Sequence, residues 1–149
     1  MPHEKHFELP DARREGFLNI SEEAAASGVS AKMIRHYEEI GLVPKAGRTV
    51  AGYRIYRDAD VHVLRFIRRS RDLGFTMKEI AELLGLWQDK RRASADVKRL
   101  ATRHMADLDA RIAELQGMRR TLEHLVHCCH GDGRPDCPIL DDLAGAGRA

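Results

Sequence analysis

The sequence predicts a mainly α-helical fold: a small N-terminal helix-turn-helix with a β-hairpin wing, then one long helix, then a short cysteine-bearing loop. Three observations carry that prediction. Two short, cappable helical segments meet at Gly28. A glycine-flanked run, Tyr53-Arg54-Ile55-Tyr56, alternates β-favouring residues with a basic one. Ala101, Leu108, Leu115 and Leu122 recur every seven residues.

Residues 1–16 mix charges, prolines and the histidines His3 and His6 without periodicity, and read as a flexible arm. Asn19 or Ser21 caps a first helix through Ala26, because each side chain can accept from first-turn N–H groups. Gly28 stops it. Ser30 caps a second helix to Ile40, ended by Gly41 and the Leu42-Val43-Pro44 that follows. Two short helices joined through a glycine are the minimum of a helix-turn-helix. The stretch from Lys45 to Tyr56 reads as the wing. Asp58 then caps a helix to Leu73 whose inward face is Val61, Leu64, Ile67 and the stem of Arg68. After Gly74, Thr76 with Glu79 three residues on forms a capping box, and Ile80, Leu83, Leu84 and Trp87 point inward.

A polar link, Asp89 to Ala93, leads into a helix over 94–127. Its 34 residues make a rod of about 50 Å. Met118 and Leu125, and Met105, Ile112 and Val126, fall three or four residues after the heptad positions. That stripe is too narrow for a buried helix, so a partner helix should cover it, as a coiled coil in a homodimer. The predicted organisation is therefore 1–16 arm, 17–88 winged helix-turn-helix, 94–127 dimerisation helix, and 128–149 loop and tail.

Charge is unevenly spread beneath a net of +2. Between Lys45 and Arg71 stand eight basic residues against two acids, whereas Gly131 to Leu143 holds four acids and one base. A basic block beside a helix-turn-helix points to nucleic acid. No segment approaches the roughly 20 apolar residues of a membrane span, and the polar start lacks the apolar centre of a secretion signal. The expected location is the cytoplasm, where thiols stay reduced. With no nucleophile, base and orienting residue gathered in any segment, an enzyme is not expected.

The second helix presents Lys32, Arg35, His36 and Tyr37 in its first two turns. Basic side chains there suit the major groove, and Tyr can bond a phosphate. The run Ile34-Arg35-His36-Tyr37-Glu38-Glu39-Ile40-Gly41-Leu42-Val43, followed by Gly52-Tyr53-Arg54-Ile55-Tyr56 and Leu73-Gly74-Phe75-Thr76, resembles the MerR family of transcription regulators. The resemblance covers essentially Leu18 to Leu143. It implies a winged helix-turn-helix, a long antiparallel dimerisation helix and an effector site near the C-terminus. It also implies double-stranded promoter DNA as partner, with contacts at Arg35, Tyr37, Tyr53 and Arg54, and Lys32 and Arg65 beside them. RNA polymerase would be met only indirectly, through the promoter.

All three cysteines lie in the run Cys128-Cys129-His130-Gly131-Asp132-Gly133-Arg134-Pro135-Asp136-Cys137. A Gly- and Pro-containing loop can fold back so that the sulfurs of Cys129 and Cys137 face one ion. Thiolates favour Cu(I), Ag(I), Au(I), Zn(II) or Hg(II). Cys128, Cys129, His130 and Cys137 also supply the inventory of a structural zinc site, although adjacent cysteines point apart. The loop is similar to that of copper-efflux regulators of the MerR family, whose two cysteines match Cys129 and Cys137. Ser94 stands where divalent-metal members carry a cysteine, which there completes the site from the partner subunit. Two thiolates and a singly charged ion leave a net charge of −1, which a helix N-terminus and Lys98 can offset.

The resemblance implies a Cu(I)-responsive activator of copper export or detoxification genes, with Ag(I) and Au(I) as alternative ions. A Zn(II) or Hg(II) sensor of the same family, or a structural-zinc DNA-binding protein, are the alternatives. An iron–sulfur sensor would want four cysteines where the chain has three. With about 20 residues after His127, no separate drug-binding domain is expected.

Overall fold

The computed structural model describes residue 12 and residues 14–145. The arm, with His3 and His6, lies almost wholly outside the described residues. Among the described residues, from Ile20 onward, six helices and one hairpin follow in the order α1 (Ile20–Ser27), α2 (Ala31–Glu39), β1 (Gly47–Arg48), β2 (Arg54–Ile55), α3 (Asp58–Asp72), α4 (Met77–Gln88), α5 (Ser94–Cys128) and α6 (Pro138–Leu143). The chain divides into two compact units between Val97 and Lys98. That division falls in the first turn of α5 rather than in the 89–93 link. No helix among the described residues is long and apolar enough to cross a membrane.

Local signals set most boundaries of the first unit. Asn19 accepts from the Glu22 N–H at 2.9 Å while the Glu22 carboxylate accepts from the Asn19 N–H, a reciprocal cap on α1. Gly28 ends α1 at φ 74, in the left-handed region that favours glycine, and the Arg68 guanidinium lies over it. Ser30 caps α2 through the Met33 N–H, and Thr76 and Glu79 cap α4 reciprocally. At α3 the expected cap moves by one residue. Arg57 takes the N-cap position and Asp60 accepts its N–H at 2.8 Å, while Asp58 becomes the first helical residue.

The hairpin pairs Gly47 with Ile55 and Arg48 with Arg54. Its turn closes with the Gly52 N–H on the Thr49 carbonyl at 2.9 Å, and Gly52 sits at φ 88. Leu18 pairs with Tyr56 through two backbone hydrogen bonds of 2.8 Å, which ties the wing's base to the strand-like lead into α1.

Four helices and the wing close on one core: Val29, Ile34, Tyr37, Tyr56, Leu64, Ile67, Ile80 and Leu84. Two expectations shift here. Leu83 is only half-buried. Trp87 is 41% exposed and caps the core's edge by stacking on Phe66, ring centroids 4.6 Å apart.

In the second unit, Leu125 of α5 is buried, but Met105, Ile112, Leu115, Met118, Leu122 and Val126 are each more than half exposed. The described chain therefore leaves the heptad stripe in water.

One buried group stands apart. Glu23 of α1 is 0% exposed and neither carboxylate oxygen has a hydrogen-bond partner. Burial, and then the nearby charges of Asp60 and Asp58, push its pKa from 4.5 to about 7. The folded state therefore holds a proton that the unfolded chain releases at lower pH. The stability contributed by this neutral carboxyl is complete below pH 4.5 and is lost as pH rises through about 7. Between pH 5 and pH 8 the wild type should lose on the order of 2–3 kcal/mol of stability relative to Glu23→Gln. Urea unfolding across that range measures the difference, and parallel curves for the two proteins would contradict it.

Candidate nucleic-acid interface and cysteine loop

Helix α2 divides its residues by face. Ile34, Tyr37 and Glu38 are buried, whereas Lys32, Arg35 and His36 are exposed. The spacing of three and four residues puts the last three on one outward surface. Tyr53, 59% exposed, stands beside the wing's turn.

The other expected contacts are spoken for inside the fold. Tyr37 is 1% exposed and its hydroxyl accepts from Arg71 at 2.7 Å. At that point the group facing solvent is Arg71 of α3. Arg54 is half-buried and donates to the Glu38 carboxylate at 2.6 Å. Tyr56 donates to the other oxygen of Glu38 at 2.9 Å, and burial pushes its phenol up to about 12. Glu38, itself buried, thus joins the recognition helix to the wing through two charge-assisted hydrogen bonds, one from a cation and one from a neutral hydroxyl. Arg65 forks two N–H groups, at 3.0 and 2.8 Å, onto the Ala26 carbonyl. That carbonyl is in the last turn of α1, where carbonyls lack helical partners and a cation is favoured.

The stem of Arg68, expected on the inward face of α3, is exposed instead, and Arg69 and Arg71 are exposed with it. Arg68 and Arg69 flank Arg65 in a shallow groove against Gly28, and Arg68 and Arg71 line a second beside Ser30 and Met33. Positions 65, 68, 69 and 72, three and four residues apart, share an exposed face of α3 beside the buried 61, 64 and 67.

The cysteines flank a turn. Cys129 follows α5, its N–H on the carbonyls of Leu125 and Val126 at 3.1 and 3.2 Å, and Cys137 is the N-cap residue of α6. Between them Asp132 accepts from the Arg134 N–H at 2.9 Å and from its Nε at 2.8 Å, with Gly131 at φ 63. All three thiols are free. Cys129 and Cys137 are half-buried and Cys128 is exposed. Ser94 and Lys98 are exposed on the first two turns of α5, at the opposite end of a 35-residue helix.

Removing the carboxylate that joins α2 to the wing should be costly. Glu38→Ala leaves the Arg54 guanidinium and the Tyr56 hydroxyl short of an acceptor, for a loss of roughly 2–3 kcal/mol. Hydrogen exchange at the Thr49 and Tyr53 amides should accelerate with it. Protection at those amides equal to the wild type would mean that the wing is held by other contacts.

Comparison with known proteins follows the same lines. The model described as "MerR HTH family regulatory protein" matches residues 18–86, and that described as "MerR, DNA binding" matches residues 61–125. "Heavy metal-dependent transcription regulator 2" of Rhizobium meliloti (strain 1021) is 58% identical over 127 residues, covering 85% of this chain and 86% of that protein. "HTH-type transcriptional regulator CueR" of Salmonella typhimurium (strain LT2) is 43% identical over 128 residues, covering 86% and 93%. Among solved structures, the transcription regulator PbrR691 from Ralstonia metallidurans CH34 in complex with lead(II) superposes with a TM-score of 0.73. It is 29% identical, and the match covers 85% of this chain and 98% of that one.

Proposed function

Because this chain belongs to the MerR family of transcription regulators, we propose that it is a metal-responsive activator that binds promoter DNA as a homodimer. The observation that carries the proposal is the cysteine loop: two half-buried free thiols, Cys129 and Cys137, at either end of one turn between α5 and α6. The printed name of the Rhizobium meliloti relative, a heavy metal-dependent regulator, supports the same reading.

The DNA surface is α2 with the wing. Lys32 and Arg35 reach base edges or phosphates, Tyr53 steadies the wing on the backbone, and Arg54 and Arg65 do so with donors left over from Glu38 and Ala26. Dimerisation follows from the stripe on α5. Six apolar side chains more than half exposed leave on the order of 5–10 kcal/mol of burial unrealised. In an antiparallel pair, Ser94 of one helix lies alongside the end of its partner, about 50 Å from the cysteines of its own chain.

Cu(I) is the ion that fits this donor set, with Ag(I) and Au(I) as chemical neighbours. Two thiolates satisfy a singly charged soft ion, whereas a divalent ion wants further ligands. Serine at position 94 supplies none of the required softness, and Lys98 offsets the residual negative charge. The lead(II) bound by PbrR691 favours a second reading, a divalent-ion sensor, and the residue at position 94 separates the two. Metal binding then repositions the dimer's DNA-binding halves and bends and untwists the promoter. The two polymerase recognition elements come into line without contact between regulator and RNA polymerase. Copper export or detoxification genes are the natural targets.

Transcription in vitro from the chain's own promoter, under anaerobic conditions with buffered Cu(I) or Zn(II), tests the metal assignment. Cu(I) should activate and Zn(II) should not. The pair Cys129→Ser with Cys137→Ser should be silent, and Ser94→Cys should admit Zn(II) or Hg(II). Activation of the wild type by Zn(II) alone would overturn the Cu(I) reading in favour of the divalent one. For the DNA surface, Arg35→Ala should weaken operator binding by roughly 1–3 kcal/mol. Equal affinity for operator and unrelated duplex in both proteins would remove Arg35 from base recognition.

A further inference from the structure

We propose a second metal site, separate from the Cys129–Cys137 loop, in which His124 and Cys128 chelate a divalent ion of borderline softness such as Zn(II). Cys128 has no part in the function proposed above. Neighbouring helical residues diverge by about 100°, so its thiol leaves α5 in a different direction from Cys129.

It has a partner of its own instead. His124 and Cys128 are four residues apart on the last two turns of α5, which places them one above the other on a single face. Both are exposed, and Cys128 Sγ lies 3.8 Å from His124 Nε2. That separation is informative. An ion held by a thiolate at about 2.3 Å and an imidazole at about 2.0–2.1 Å, with a tetrahedral angle between them, sets the two donors about 3.6 Å apart. A linear arrangement of the same bonds sets them about 4.4 Å apart. The observed distance lies close to the tetrahedral value. The contact is a weak Sγ···Nε2 hydrogen bond, and it keeps both donors on one helical face at a separation close to that which a tetrahedral ion sets. The spacing of three intervening residues is also that of the helical ligand pair in zinc fingers.

No third His, Cys, Asp or Glu ligand atom among the described residues joins this pair, so water fills the two remaining positions. An open, solvent-facing site of this kind exchanges its ion readily, unlike a closed structural one. The end of α5 also favours a cation there, because the last carbonyls of a helix carry the negative end of its dipole. Two metals of different charge and geometry are thereby accommodated within one stretch of chain: a tetrahedral divalent ion on the helix face, and a soft monovalent one in the loop.

Co(II), an optical stand-in for Zn(II), tests the site in the full-length chain carrying Cys129→Ser and Cys137→Ser. That background removes the loop's sulfurs, so the outcome is independent of the loop's own function. Anaerobic titration should reach one Co(II) per chain, with thiolate-to-cobalt charge-transfer absorption in the near-ultraviolet that Zn(II) bleaches. Adding His124→Ala should weaken Co(II) binding at least tenfold, and adding Cys128→Ser should abolish the charge-transfer absorption. Both positions are exposed, and unchanged helical circular dichroism would establish that each variant is folded. Absence of the thiolate absorption in the Cys129→Ser, Cys137→Ser chain would overturn the proposal. So would its persistence at undiminished affinity after His124→Ala.

Discussion

Inside the N-terminal unit the carboxylate of Glu38 receives Arg54 on one oxygen and Tyr56 on the other, both from the wing's second strand and its end. One residue earlier on the same helix, the Tyr37 hydroxyl receives Arg71 from α3. These neighbouring side chains fix α2 against both of its supports, and the rest of the DNA-binding surface depends on them. An α-helix of nine residues is too short to stand alone in water, and its position must come from tertiary contacts. Apolar packing of Ile34 and Tyr37 supplies the attraction but little direction. Hydrogen bonds to buried polar groups supply the direction, since leaving either group unpaired costs more than a small misplacement of the helix could recover. The consequence for function is geometric: Lys32, Arg35 and His36 face solvent because the opposite face is held at two points.

The second unit is organised by the opposite deficit. Where α2 is pinned by polar groups within its own unit, α5 carries apolar side chains that the described chain leaves largely uncovered. A helix of this length gains little from propensity alone, and most helical stability in proteins comes from packing an apolar face. A partner helix laid along the stripe, as proposed above, would remove the exposed surface in one step. It would also make the position of each helix end depend on the other chain, the kind of connection along which an event at one end of a rod is felt at the other.

Much of this was legible in the residues because the signals are local. The caps at Asn19, Ser30 and Thr76, the stop at Gly28, and the periodicity of 61, 64 and 67 each rest on rules that operate within a turn or two of helix. What the sequence did not disclose was which polar side chains would face one another across the fold. Tyr37 and Arg54 read as solvent-facing because a tyrosine and an arginine beside a recognition surface suit a phosphate. Their partners, Arg71 and Glu38, are 34 and 16 residues away. Nothing in a local window pairs them. Trp87 was misjudged for the same reason in reverse: its periodicity assigned it inward, but Phe66 meets it at the edge of the core. Glu23 lies on a helix of low amphipathicity, and its burial follows from the packing of α1 rather than from any pattern around it. The pairing of Cys128 with His124 depends on α5 continuing to Cys128, one residue past the predicted end of the helix.

Charge segregation connects the two ends of the chemistry. Eight basic residues from Lys45 to Arg71 belong to the unit that carries the recognition helix, and several are used first to hold that unit together. Arg65 closes an unpartnered carbonyl, Arg71 holds Tyr37 and Arg54 holds Glu38, so the positive field toward a polyanion is built from groups whose positions are already fixed. Preorganised charge loses less entropy on binding than free surface lysines do. In the other unit the sign is inverted only around the cysteine loop. Gly131 to Leu143 holds four acids and one base, and the carbonyl end of α5 adds its own negative potential. Thiols and imidazoles placed in such a field are favoured as cation ligands, because the field lowers the cost of bringing the ion in. The same field does not distinguish one cation from another. In the proposed reading that choice would fall to donor number and donor separation: two sulfurs across the loop, or a sulfur and a nitrogen on one face of a helix.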